Sequence, residues 1–262
     1  LGDVYKRQIV GLSMKVLLAD RVGGLWTQVQ TIGFESISTP MAWLGLAGYC
    51  FQLYFDFWGY SRMAVGLGRM LGFRLPRNFD HPYAARTMTE FWRRWHITLG
   101  AWFREYVYIP MGGSRQGMPR TILNLLVVWL LTGIWHGSTW NFLLWGLLIF
   151  LLIALEKLGL GPLLERHRVA ARVYMLLAVP LSWLLFAVPD LGQIGIYLTR
   201  LFPFFGGGIA VNQGDFLHYG KQFVPFLAVC ILLSSPWPER VWNRIRSSTV
   251  GTAVSYTHLT LP

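Results

Sequence analysis

Two histidines and one aspartate stand where chemistry is expected of them. His136 lies in the middle of a 35-residue stretch, Thr121–Leu155, that holds no Asp, Glu, Lys or Arg. An ionisable side chain at membrane depth is costly to keep there and marks a functional site by default. Position alone leaves a second reading open, a Trp–His pair in an ordinary interfacial turn. His96 sits among Trp92, Trp95, Leu99 and Phe103 at helical spacing; a lone histidine on such a face is more often packed and hydrogen-bonded. A neutral imidazole near pH 7 can take a proton from a hydroxyl as its oxygen attacks an acyl carbon, and a positioned general base contributes about 10²–10⁴-fold. Asp56 is the one acid in its apolar segment. It pairs with an arginine or holds the second nitrogen of a histidine; the structural alternative is an inter-helix salt bridge. No Gly-x-Ser-x-Gly elbow is present. Cys50 and Cys230 lie in apolar runs without metal-ligand spacing. The chemistry is therefore direct transfer assisted by histidine, with no metal.

The elements that carry these residues belong to a membrane protein. The 262 residues are 54% hydrophobic, 16% aromatic and only 13% charged, with mean hydropathy +0.43. Soluble domains carry about 25% charged residues. Pro40–Tyr60 reads as a span. As one helix, Thr121–Leu155 would extend about 52 Å, too long for one bilayer crossing and short for two. It is expected to form two short helices meeting at Gly133–Thr139. Further spans are expected over Val173–Pro189 and Lys221–Pro236, with Leu191–Phe205 a candidate re-entrant segment. Thr87-Met88-Thr89-Glu90 fits a capping box. From it, Trp92, Trp95, His96, Leu99, Phe103 and Tyr106 predict one continuous amphipathic helix, lying at the interface or dipping into the membrane, that ends at Pro110. Gly66-Leu67-Gly68 reads as close helix packing.

The formal charge is +11. In a soluble protein that excess would point to nucleic acid; here the basic residues lie between apolar runs, and no nucleic-acid partner is expected. Ten arginines against three acids fall within Arg62–Arg120. If Thr121–Leu155 is a hairpin, this region, the loop with Lys157, Arg166, Arg168 and Arg172, and the segment with Arg240, Arg244 and Arg246 share one side, the cytoplasm by the positive-inside rule. Residues 1–8 and 254–262 differ from their surroundings and resemble translated library-adapter sequence. Residues 9–246 are read as a partial membrane domain, its N-terminal spans absent and its C-terminus open. Met14 is internal, and no signal-peptide pattern follows it.

Three blocks carry a resemblance: QLYFDFWGYSRMAVGLGRMLGFRLPRNFDHPY (52–83), TEFWRRWHITLGAWFREYVYIPMGG (89–113) and NLLVVWLLTGIWHGSTWNFLLWG (124–146). They resemble the membrane-bound O-acyltransferase (MBOAT) family, its bacterial alginate O-acetyltransferase branch in particular. Arg62, Arg77 and Ala187 depart from that branch's usual residues. The resemblance implies an all-α, polytopic transmembrane fold with a catalytic tunnel. It implies His136 of the Trp-His-Gly motif as the catalytic residue and His96 of Trp-Arg-Arg-Trp-His as its companion. Asp56, Trp135, Asn141, Arg93 and Arg94 are the implied substrate-binding or supporting residues. No bound cofactor is implied; acetyl-CoA or another activated acyl donor would be a substrate on the cytoplasmic side. The other implied partners are membrane lipid and an acetylation protein outside the membrane, and the implied location is the bacterial inner membrane. Alternatives are D-alanyl transfer to teichoic acid, a transporter, which should show paired broken helices, and a non-catalytic assembly subunit.

Overall fold

The computed structural model describes residues 2–205 and 214–246. Among them the regular structure is helical, apart from one isolated bridge between Phe79 and Trp95. The helices are α1 (Gly2–Ser13), α2 (Asp20–Ile32), α3 (Thr39–Met70), α4 (Met88–Arg94), α5 (Ile97–Phe103), α6 (Gly117–His136), α7 (Trp140–Leu155), α8 (Gly161–Arg166), α9 (Arg168–Ala187), α10 (Leu191–Leu201), α11 (Asp215–Ser234) and α12 (Trp237–Arg246). Four described segments are long and apolar enough to cross a bilayer: Gly117–His136, Trp140–Arg166, Arg168–Ala187 and Asp215–Ser234. This is the all-α polytopic architecture expected of the sequence.

The expected hairpin forms. α6 and α7 meet at Gly137–Thr139, and their backbones touch. A methyl group on Gly133 would fall 2.6 Å from the carbonyl oxygen of Phe142, and one on Gly146 would strike that of Trp129. Small residues allow this approach, which favours helix packing where lipid supplies no hydrophobic drive. The segment read as a span at Pro40–Tyr60 is helical, as the first part of the longer α3, but α3 is not among the four segments apolar enough to cross, because Gln52, Asp56 and several tyrosines and glycines dilute its hydropathy. Ser38 starts α3 by accepting from Met41 N, and Gly72, at φ 84°, follows its end. Gly66 abuts the Gln8 side chain of α1, in keeping with the packing reading of that glycine pair.

Two stretches differ from expectation. The region before α3 contains α1 and α2 joined through a π-helical turn, Met14–Ala19. Residues 2–8, set aside as a flank, form the first turns of α1, and Gln8 Nε2 donates to Met63 O; residues 254–262 lie outside the described residues. The continuous amphipathic helix from Thr87 is broken. Trp95 is extended and His96 takes φ 47°, ψ 52°, separating α4 from α5. The cause is non-local: residues 78–80 lie against the break, Ile97 N donating to Asn78 O and Asp80 N to Arg94 O. The capping box holds at the start of α4. Thr87 Oγ1 accepts from Glu90 N, while the Glu90 carboxylate accepts from Arg86 N rather than Thr87 N. Phe103 is buried and Tyr106 exposed, so the expected apolar face continues past the break as far as Phe103 and does not reach Tyr106.

The two ends of the molecule are distinct. At one end, Glu156 accepts from Met88 N and Thr89 N, and Arg172 Nη1 donates to Tyr83 O and Ala85 O. These bonds bring the Arg62–Arg120 region and the α7–α9 connection together, as a returning hairpin requires. At the other end Ser38 binds Asp215, and Tyr197 Oη donates to Ala42 O. α10, eleven residues long, packs there beside α3.

Candidate active site

The break between α4 and α5 turns His96 inward. A histidine at positive φ is uncommon, and backbone held in such regions clusters at functional sites. Here the pairing of residues 78–80 with residues 94–97 holds it. The Asn78 side chain completes the hold: its Oδ1 lies 3.1 Å from His96 Nδ1, accepts from Thr98 N at 3.2 Å and from Thr98 Oγ1 at 3.0 Å. Phe57 of α3 meets the imidazole edge to face at 4.7 Å. Burial pushes the His96 pKa down to about 4, because a charged imidazole loses its hydration there.

His136 is the last residue of α6, and aromatic rings surround it. Trp145 of α7 and Phe186 of α9 stand edge-on at 5.0 and 5.1 Å, and Phe142 stacks at 6.3 Å. The glycine contacts between α6 and α7 fix the height of this residue against Trp145.

His96 and His136 line one cavity of about 470 Å³. Its wall on α6 runs from Leu125 to His136, about 16 Å at 1.5 Å per residue. Five indoles stand in the lining, Trp129 on α6 and Trp92, Trp95, Trp145 and Trp183 from the other walls. These indoles form one packed cluster, Trp92 on Trp129 and Trp95 on Trp183 each at 4.9 Å; such pairs each contribute about 0.5–1.5 kcal/mol beyond area burial. Arg93, Arg104 and Lys157 also line the cavity. Thr89, Arg93 and Lys157 are shared with a second, polar basin of about 860 Å³, whose cations include Arg86, Arg94, Arg172 and Arg240. An apolar chamber holding two imidazoles thus adjoins a basic vestibule.

The other candidates fall into place around this chamber. Trp135 packs against both histidines, 4.9 Å from His136 and 6.3 Å from His96 between ring centroids, and is itself 59% exposed. Arg93 reaches both cavities; Arg94 lines the basin and pairs with Glu90. Asn141 does not line either cavity. It is fully buried, accepts from Thr139 Oγ1 and donates to Leu185 O, tying the hairpin apex to α9. Asp56 holds neither histidine. Its carboxylate pairs with Lys15, a lysine rather than an arginine, at 2.8 Å, and Lys15 also reaches Asp20 at 2.8 Å.

Sequence reasoning passed over two site residues. Asn78 carries no local signal, since its partners lie 18 and 20 residues away. Glu156 read only as the end of an uncharged stretch. It is 5% exposed, and it accepts from Met88 N, Thr89 N, Thr89 Oγ1 and the Tyr174 hydroxyl. One carboxylate at the foot of α7 thereby caps the helix that leads to His96.

Residues 26–188 match the profile of the membrane-bound O-acyltransferase family. The chain is 40% identical over 199 residues to a probable alginate O-acetylase of Pseudomonas putida, covering 76% of this chain and 41% of that protein. It is 34% identical to a peptidoglycan O-acetyltransferase of Helicobacter pylori, over 83% of this chain and 41% of the relative. A teichoic acid D-alanyltransferase of Streptococcus thermophilus is 36% identical over 38% of this chain and 26% of that protein. The chain spans about two fifths of the length of the two acetyl-transferring relatives.

Proposed function

Because the chain belongs to the membrane-bound O-acyltransferase family, we propose that it carries the centre that moves an acetyl group from an activated donor to a hydroxyl, as part of polysaccharide O-acetylation. The observation that carries this reading is the placement of His96 and His136 on one apolar cavity that shares a wall with a basic basin. Acyl transfer needs a base, an apolar slot for the acyl chain and a cationic mouth for an anionic carrier. In this reading His136 takes the proton of the attacking hydroxyl as the new C–O bond forms. The bond from the acyl carbon to its carrier breaks, and the proton passes to the departing group. His96 is the second imidazole at the same cavity, and Arg93, Arg104 and Lys157 face the carrier at its mouth.

The donor is acetyl-CoA or another activated acyl carrier, entering from the cytoplasm through the basin. The acceptor is an extracytoplasmic polysaccharide of alginate type, reached through an acetylation partner outside the inner membrane. D-alanyl transfer is the second reading, favoured by the similarity to teichoic acid D-alanyltransferases; that similarity covers half as much of this chain as the match to the alginate O-acetylase. The test is expression of the intact protein in cells lacking their own polymer acetylase, followed by measurement of ester-linked acetate on the polymer. Acetate restored by the wild type and not by His136→Ala supports the proposal. Restoration by both would overturn it, and ester-linked D-alanine in place of acetate would install the second reading.

A further inference from the structure

Asn78 is tied to the break in the α4–α5 segment by more than its backbone, and its carboxamide can be oriented without ambiguity. The Thr98 backbone N–H is a donor that cannot rotate into an acceptor, and it points at one atom of the Asn78 side chain at 3.2 Å. That atom must therefore be the carbonyl oxygen. The Asn78 Nδ2 group on the other side donates to Ser61 Oγ at 3.3 Å, in agreement. The same carbonyl oxygen lies 3.1 Å from His96 Nδ1. A carbonyl oxygen only accepts, so Nδ1 must bring the hydrogen.

We infer that Asn78 is a positioning residue that holds His96 as the Nδ1–H tautomer and so presents a bare Nε2 lone pair to the cavity shared with His136. The consequence is specific. A neutral imidazole has one donor and one acceptor nitrogen, and which is which follows from the bond the other makes. With Nδ1–H committed to Asn78, Nε2 can receive a proton or a hydrogen bond but cannot donate one. His96 then serves as an acceptor toward a hydroxyl in the cavity, and not as a donor to an acyl carbonyl. Its low proton affinity, caused by burial, keeps it in this neutral form near pH 7. Histidine free in water prefers the opposite tautomer, Nε2–H, so the fixed Nδ1–H form requires a partner, and among the described residues Asn78 is the hydrogen-bond partner that His96 has. Ser61, Asn78 and Thr98 thereby form a small polar bracket behind the imidazole, built from three separate segments of chain.

The catalytic use of this arrangement rests on the proposed function above, so its test separates the two. The first measurement is nitrogen-15 and proton correlation NMR of the histidine side chains in the detergent-solubilised wild-type protein, with His96→Gln used to assign the signal. An Nδ1–H pattern for His96 is expected; an Nε2–H pattern overturns the inference without any appeal to activity. The second measurement compares Asn78→Asp and Asn78→Ala in the intact protein, scored as polymer acetate per unit of membrane-inserted protein. The aspartate retains an acceptor for Nδ1–H and for Thr98, so it should keep both the tautomer and most of the activity. Alanine should release the tautomer and lower acetylation about 10–100-fold, less than the roughly 10²–10⁴ that loss of the general base itself costs. Equal activity in the alanine variant and the wild type overturns the positioning role. An Nδ1–H signal in a protein whose His96→Ala variant acetylates normally overturns the reading of the site, while leaving the tautomer assignment standing.

Discussion

His96 and His136 meet across a single indole. The Trp135 ring lies 6.3 Å from one imidazole and 4.9 Å from the other, although 40 residues separate the two histidines in the chain. One reaches the cavity from a broken helix entering from the basic end, the other from the tip of a hairpin. Their meeting is a property of the fold.

His136→Ala should reduce polymer acetylation by 10²–10⁴-fold, about the contribution of a general base, without loss of membrane insertion. The side chain is ringed by Trp145, Phe142 and Phe186 and no helix depends on it for a cap. Membrane protein level and polymer acetate should be measured on the same cells; normal acetate at normal level would remove His136 from the reaction.

Glu156→Ala should destabilise the protein. It strips acceptors from Met88 N, Thr89 N and Tyr174 Oη, and a buried polar group left unpaired costs about 1–3 kcal/mol. Thermal unfolding of the solubilised protein is the measurement. Glu156→Gln, which keeps one acceptor oxygen, should fall between the two. An unchanged midpoint in both variants would show that the α4 cap carries no load.

Asp56→Asn should leave acetylation within about twofold of wild type, because its partner is Lys15 and both side chains are about half exposed; exposed pairs of this kind contribute about 0–1 kcal/mol. A large loss of polymer acetate would return Asp56 to the reacting centre.

The pH dependence of stability should carry a His96 signature. Its folded-state pKa is about 4 against an ordinary value of 6.5, so between these values the unfolded chain binds the additional proton. Stability is thus fully present above about pH 6.5 and declines as pH falls toward 4. Removing the group in His96→Gln should flatten the thermal midpoint between pH 6.5 and 4.5 relative to wild type; parallel profiles would contradict the assignment.

A cysteine at Gln116, in the exposed turn before α6, should resist a membrane-impermeant maleimide added to sealed cells and react once they are opened. Cys50 and Cys230 are buried and should contribute little background. Ready labelling in sealed cells would invert the orientation drawn from the arginines.

The hairpin and the later spans were legible in the sequence because their signal is local: an uncharged run of known length, interrupted by Gly133 and Gly137, admits few arrangements. The segment before α3 was not legible, because Lys15, Asp20 and Arg21 break its hydropathy. The structure shows Lys15 paired with Asp20 in the same segment and with Asp56 from another helix, and the second of these partners lies outside any window over residues 9–32. The break at His96 was hidden for the same reason. Trp92, Trp95, Leu99 and Phe103 keep helical spacing through it, and the bonds that impose it come from Asn78 and Asp80. Histidine identity was therefore readable, while the groups that aim each histidine were not.

Stiffness is unequally shared between the two halves of this centre. Where α6 and α7 touch at Gly133 and Gly146, backbone meets backbone, and no side-chain rotation can widen or narrow the gap; the hairpin bearing His136 behaves as a strut. The limb bearing His96 consists of two seven-residue helices, pinned at its start by Glu156 and at the junction between them by Asn78. The height of His136 is thus set by backbone contact, and that of His96 by a few side-chain hydrogen bonds that a single substitution can remove.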